Sequence, residues 1–110
     1  MDMPVYNKLV RDRIPAIIEQ AGKTFTTRIL NEEEYKKELQ KKAFEELEEY
    51  VQAMTDEAAI EELADVLEIV HALAACHGAS IEQVEQIRVK KAEERGGFRE
   101  KIFLVEVRDE

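Results

Sequence analysis

Residues 45–65 read EELEEYVQAMTDEAAIEELAD. The run holds the end of one helical stretch and the start of another, with a polar stop between them. Thr55 or Asp56 is a good N-cap, because its side-chain oxygen can accept from a free N–H of the first helical turn. Outward from this junction, Asn31 with Glu34 forms a capping box and opens the first long helix, which the pattern carries to about Met54. The second long helix runs to about His77, and Gly78 ends it. Ser80 with Gln83 is another capping box, predicting a helix to about Arg95, stopped by Gly96 and Gly97. Nearer the N-terminus, the basic segment NKLVRDR (7–13) leads to Pro15, which suits a first helical turn, and a short helix through Ile17 and Ile18 to Gly22. Lys23–Leu30 and Lys101–Val107 are rich in β-branched and apolar residues and are expected to be two short strands. The expected fold is mainly α: a helical bundle with two short strands.

Composition agrees with this reading. The 110 residues suit one domain over 1–110, with four Gly, two Pro and no Trp. Charged residues make up 37% and hydrophobic ones 45%, a globular balance with a well-solvated surface. The net charge of −9 is expected to repel nucleic-acid polymers and anionic membranes. A mononucleotide is anionic too, but a divalent cation can bridge it to carboxylates. The single cysteine, Cys76, cannot form an intramolecular disulfide and is read as a small buried residue. Met1–Val10 has no basic region followed by an apolar run, and no apolar stretch is long enough to span a bilayer. A cytoplasmic location is the expectation.

The chemistry lies in where the carboxylates fall on the two long helices. On a 100° wheel, Ile60, Leu63, Ala64, Leu67, Val70 and Ala74 form a core stripe. Glu62 and Asp65 sit among a second apolar set, Ala58, Val66, Ile69, Ala72 and Leu73. Two carboxylates one turn apart on a packed surface raise each other's pKa and need neutralising. On the preceding helix, Phe44, Leu47, Val51 and Met54 are the expected core stripe. Glu46 and Glu49 lie on a flank with Ala43, Tyr50 and Ala53, residues small enough in part to admit a neighbouring helix. If the flanks face one another, Glu46, Glu49, Glu62 and Asp65 converge into an all-oxygen site suited to Mg²⁺ or Mn²⁺. The alternatives are solvated charge for Glu46 and Glu49, and a buried salt bridge for Glu62 and Asp65. His71 and His77 form no zinc-like cluster. Lys91 and Arg95 share a helix face and could grip phosphate, or simply complement the helix C-terminus. Lys8, Arg11 and Arg13 form a second basic group.

These residues resemble the MazG-like all-α nucleoside triphosphate pyrophosphatases. The family's E-E-x-x-E, spacer, E-x-x-D motif is matched by Glu45-Glu46-Leu47-Glu48-Glu49 and Glu62-Leu63-Ala64-Asp65, with twelve residues between. Its K-x-x-x-R pair is matched by Lys91 and Arg95. YNKLVRDRIP (6–15) and ERGGF (94–98) are similar to the terminal signatures of a subgroup of predicted house-cleaning pyrophosphatases. The resemblance covers nearly the whole chain; Ala64 stands where relatives often have Gly. It implies Glu46, Glu49, Glu62 and Asp65 as magnesium ligands, Lys91 and Arg95, with Lys8 and Arg11, as phosphate contacts, and Glu45 or Glu49 as the group that positions water. It also implies a homo-oligomer, dimer or higher. The implied reaction is hydrolysis of a nucleoside triphosphate between the α and β phosphates. Phosphoribosyl-ATP- or dUTP-specific hydrolysis, or a non-catalytic binding module, are the competing readings.

Overall fold

The computed structural model describes residues 5–109 and contains four helices: α1 (Ile14–Gln20), α2 (Glu32–Gln52), α3 (Asp56–Cys76) and α4 (Ile81–Arg95). Their boundaries follow the caps. The Asn31 side chain accepts from the Glu34 N–H at 2.9 Å, Thr55 accepts from the Ala58 N–H at 3.1 Å, and Ser80 accepts from the Gln83 N–H at 3.2 Å. Each bond satisfies one of the donors that a helix start leaves free. After α3 the chain turns through Gly78 at φ 71°, with Ala79 N–H donating to the Ala74 carbonyl at 2.9 Å and Gly78 N–H to Ala75 at 3.0 Å. This paired closure needs a left-handed residue, which is why glycine stands there. Pro15 sits in the first turn of α1. Among the described residues no helix is long and apolar enough to cross a membrane.

Residues 53–55 turn the chain between α2 and α3, which pack along one another as a helical hairpin; α4 meets α3 but not α2. In such a hairpin, residues equally far from the turn come opposite one another. Leu39 then faces Ile69, and Glu46 faces Glu62. Leu39 and Ile69 are the buried residues of that seam, and Lys42, Ala43, Glu46, Ala53, Ala58, Ala59, Glu62, Asp65 and Val66 are not exposed. The seam is apolar at the Leu39–Ile69 end and small-and-acidic toward the turn.

Two expectations are corrected. The segments 23–30 and 101–107 are not strands: no sheet exists among the described residues, and neither segment makes a ladder bond. Their β-branched content supplies propensity, but a strand exists only where a neighbouring edge accepts its hydrogen bonds. The expected core stripes are also misplaced. Phe44 is 75% exposed, Met54 96% and Ile60 64%, and Leu47, Val51, Leu63 and Leu67 are exposed as well; only Val70 and Ala74 of the expected α3 stripe are shielded. The alanines beside the carboxylates allow the closer helix approach, so the flanks form the intrachain seam and the larger side chains face outward.

The consequence is a large open surface. A compact monomer of this mass exposes roughly 6,200 Å², whereas this chain exposes 10606 Å². Its radius of gyration is 19.0 Å, against about 13 Å for a compact domain of this length.

Because the buried residues among those described lie on α2 and α3, Leu39→Ala is expected to cost about 2–4 kcal/mol. Asn31→Ala, which removes only a cap, is expected to cost about 1 kcal/mol. Urea unfolding of both variants checks the order; a larger loss from the cap than from Leu39 would place the stabilising contacts elsewhere.

Candidate metal centre

Glu46 and Glu49 lie one turn apart on α2, and Glu62 projects from α3 across the seam. One carboxylate oxygen from each lies within 4.8 Å of the others. Two oxygens bound to one Mg²⁺ stand about 3–4.2 Å apart, given metal–oxygen distances near 2.1 Å. The three therefore need only a small side-chain adjustment to share an ion. Glu46 Oε2 and Glu62 Oε2 are buried and have no hydrogen-bond partner among the described residues. A buried acceptor without a partner is costly, and a hard cation between the helices would satisfy both oxygens. The donor set, all carboxylate, fits Mg²⁺ or Mn²⁺.

The local electrostatics have the same origin. Burial in the seam, then the neighbouring carboxyl groups of Glu49 and Glu62, then the charges of Glu49 and Asp65, push the Glu46 carboxyl up to about 7. Glu62 is raised as well, first by burial and then by Glu49 and Asp65. Lys42, one turn before Glu46 on α2, places its ammonium 4.0 Å from the Glu46 carboxylate, mostly shielded from solvent.

The other expected site residues fall in three places. Asp65 lies one turn beyond Glu62 but is outside the three-carboxylate cluster; its Oδ1 accepts from the Arg11 guanidinium at 2.6 Å. The salt-bridge alternative therefore describes Asp65 and not Glu62, and the pair lies at the rim rather than in the core. Glu45 is also outside the cluster. It lines a shallow groove of about 60 Å³ with Lys8, Lys41 and Lys42, where residues 6–9 lie along α2. Lys91 and Arg95 are exposed near the end of α4, and neither makes an ion pair among the described residues. Within one chain they do not join the carboxylates.

Sequence reasoning missed Lys41 and Lys42. The i,i+4 spacing of Lys42 and Glu46 was a readable signal for the pair. The approach of Lys8 to Lys41 depends on the path of the N-terminal segment, where Asn7 has φ 44°, and no local pattern encodes that path.

In comparisons with known proteins, no family model, no curated protein and no solved structure matches this chain.

A carboxyl whose folded pKa lies above its unfolded value supports the fold at low pH and withdraws that support as pH rises. For Glu46 the window runs from about 4.5 to about 7. In EDTA, the melting temperature of the protein is expected to fall between pH 5 and pH 8, and Glu46→Gln is expected to flatten the decline. Differential scanning calorimetry at constant ionic strength checks both; an equal slope in the variant would remove Glu46 as the cause.

Proposed function

We propose that this chain is the protomer of a Mg²⁺- or Mn²⁺-dependent nucleoside triphosphate pyrophosphohydrolase, cleaving between the α and β phosphates to give a nucleoside monophosphate and pyrophosphate. The observation that carries the reading is the convergence of Glu46, Glu49 and Glu62 across the α2–α3 seam with two buried oxygens unpartnered. The resemblance of the E-E-x-x-E and E-x-x-D motifs to the MazG-like enzymes supports it independently of the geometry.

The roles follow from position. Glu46, Glu49 and Glu62 would hold the cation, with Asp65 a turn away to complete the set. When bound, the cation supplies positive charge for the phosphate oxygens and acidifies water at the site. Glu49 is exposed at the edge of the cluster, so it can orient an attacking water and accept its proton. Glu45 faces the groove instead, and is the weaker candidate for that task. Lys8, Lys41 and Lys42 line the groove beside the carboxylates. They offer a track for the β and γ phosphates, whose charge grows as the pyrophosphate leaves.

The same proposal includes self-association, as a dimer or tetramer. Phe44, Leu47, Val51, Ile60, Leu63 and Leu67 are large apolar side chains exposed on the hairpin. A second hairpin laid on this face would make a four-helix bundle and bury it. Association would also give α4, with Lys91 and Arg95, a surface to pack against and a route toward a triphosphate. Phosphoribosyl-ATP and deoxyuridine triphosphate remain within the substrate class.

The competing reading, a helical binding module, draws on the Arg11–Asp65 ion pair. Metal separates the two. A carboxylate cage is stabilised by Mg²⁺ according to RT ln(1 + [L]/Kd), and an internal salt-bridge network is not.

The direct test is turnover of a panel of ribo- and deoxynucleoside triphosphates, including oxidised and deaminated bases, with pyrophosphate and monophosphate measured separately. Release that stops with EDTA is expected. Glu62→Gln is expected to lower kcat by at least about a hundredfold with unchanged circular dichroism; full activity in that variant would defeat the proposal. In light scattering, the wild type is expected at twice or four times 12.7 kDa, with Phe44→Asp/Leu63→Asp shifted toward the monomer. A monomeric wild type would contradict the assembly.

A further inference from the structure

The N-terminal segment crosses the open edge of the carboxylate seam. Residues 6–9 line the groove along α2 with Glu38, Lys41 and Glu45. Four residues after Asn7, Arg11 reaches the other helix and donates to Asp65 on α3 at 2.6 Å. The segment thus touches both walls of the site. Arg11 neutralises the one carboxylate of the four that stands outside the cluster.

Three features make this contact exchangeable. Both partners are partly solvated, with side-chain exposures of 56% and 40%, and ion pairs of that kind are weak. The contact is a single guanidinium nitrogen to a single carboxylate oxygen, leaving the other donors of Arg11 free for a second anion. Lys8, three residues back, already lies in the lysine-lined groove. A polyanion held there is within reach of a side chain on the same short segment.

We propose that Arg11 is a mobile counter-ion of the site: it holds Asp65 while the site has no metal, and moves to the polyphosphate of the substrate when a divalent cation takes over Asp65. Metal and polyphosphate then bind cooperatively through one side chain. The cation frees Arg11 for the phosphates, and the phosphates draw Arg11 away from a metal ligand. Such coupling is reciprocal by necessity. The inference rests on the carboxylates binding a divalent cation, and it adds a competitor for one of the ligands. Arg11 acts as a brake on metal binding alone and as a grip on the metal–polyphosphate complex.

The two roles predict opposite shifts in one variant, readable without turnover. The full-length chain and Arg11→Gln are titrated with Mn²⁺ alone, following free Mn²⁺ by electron paramagnetic resonance. Both are then titrated with the preformed complex of Mn²⁺ and inorganic triphosphate, which needs no base recognition. Arg11→Gln is expected to bind Mn²⁺ about two- to fivefold more tightly than the wild type. It is expected to bind the triphosphate complex at least about tenfold more weakly. Arg11→Lys keeps a cation at the position and is expected to stay near the wild type in the first titration, which separates charge from a folding defect. Unchanged or weaker Mn²⁺ binding in Arg11→Gln overturns the exchange, leaving Arg11 a strap or a simple phosphate contact. Equal binding of the complex, or none by the wild type, overturns it too. Absence of Mn²⁺ binding by the wild type is a different failure and removes the metal site itself.

Discussion

Two carboxylates, Glu46 and Glu62, face each other across a helical hairpin with alanines among its seam residues, and each has an oxygen out of reach of water and of any donor among the described residues. Like charges in a packed seam are tolerated only when something neutralises them. A proton can do it, and burial pushes the Glu46 carboxyl up to about 7. Lys42 contributes from the side at 4.0 Å. A divalent cation would do it more completely, because it satisfies several oxygens at once and leaves none orphaned. The position of Glu49, the raised Glu62 and the Arg11–Asp65 pair all follow from this one crowded stretch of seam.

The same stretch accounts for the open shape of the chain. Helices approach closely where side chains are small, so Ala43, Ala53, Ala58 and Ala59 direct the acidic flanks inward. Phe44, Leu47, Ile60, Leu63 and Leu67 are left on the outside, and the exposed area is well above that of a compact monomer. A hairpin that turns its small and acidic flanks inward leaves its larger apolar side chains uncovered within one chain.

Much of the helical framework was legible because capping is local. Asn31 with Glu34, Thr55 with Ala58, and Ser80 with Gln83 each act within one turn; the first and last stand where the sequence placed them, and of Thr55 and Asp56 the cap is Thr55. Gly78 was readable for the same reason. The meeting of the acidic flanks was legible in part: Glu46, Glu49 and Glu62 come together, whereas Asp65, expected with them, pairs with Arg11. The assignment of core and surface was not. Hydrophobic periodicity says which residues want burial, but not whether the chain's own neighbour or another molecule supplies it, so it does not tell which stripe of each helix fills the intrachain seam. The segments 23–30 and 101–107 failed similarly, because strand propensity does not reveal whether an edge is present to pair with. Arg11 was visible as a basic residue, but its partner fifty-four positions away was not.

The most direct test of the carboxylate seam as a metal site is a crystal structure of the protein soaked in Mn²⁺, with anomalous scattering measured to locate the ion. The account predicts an anomalous peak between α2 and α3, a little over about 2 Å from oxygens of Glu46, Glu49 and Glu62. No peak between the helices at saturating Mn²⁺ would contradict it.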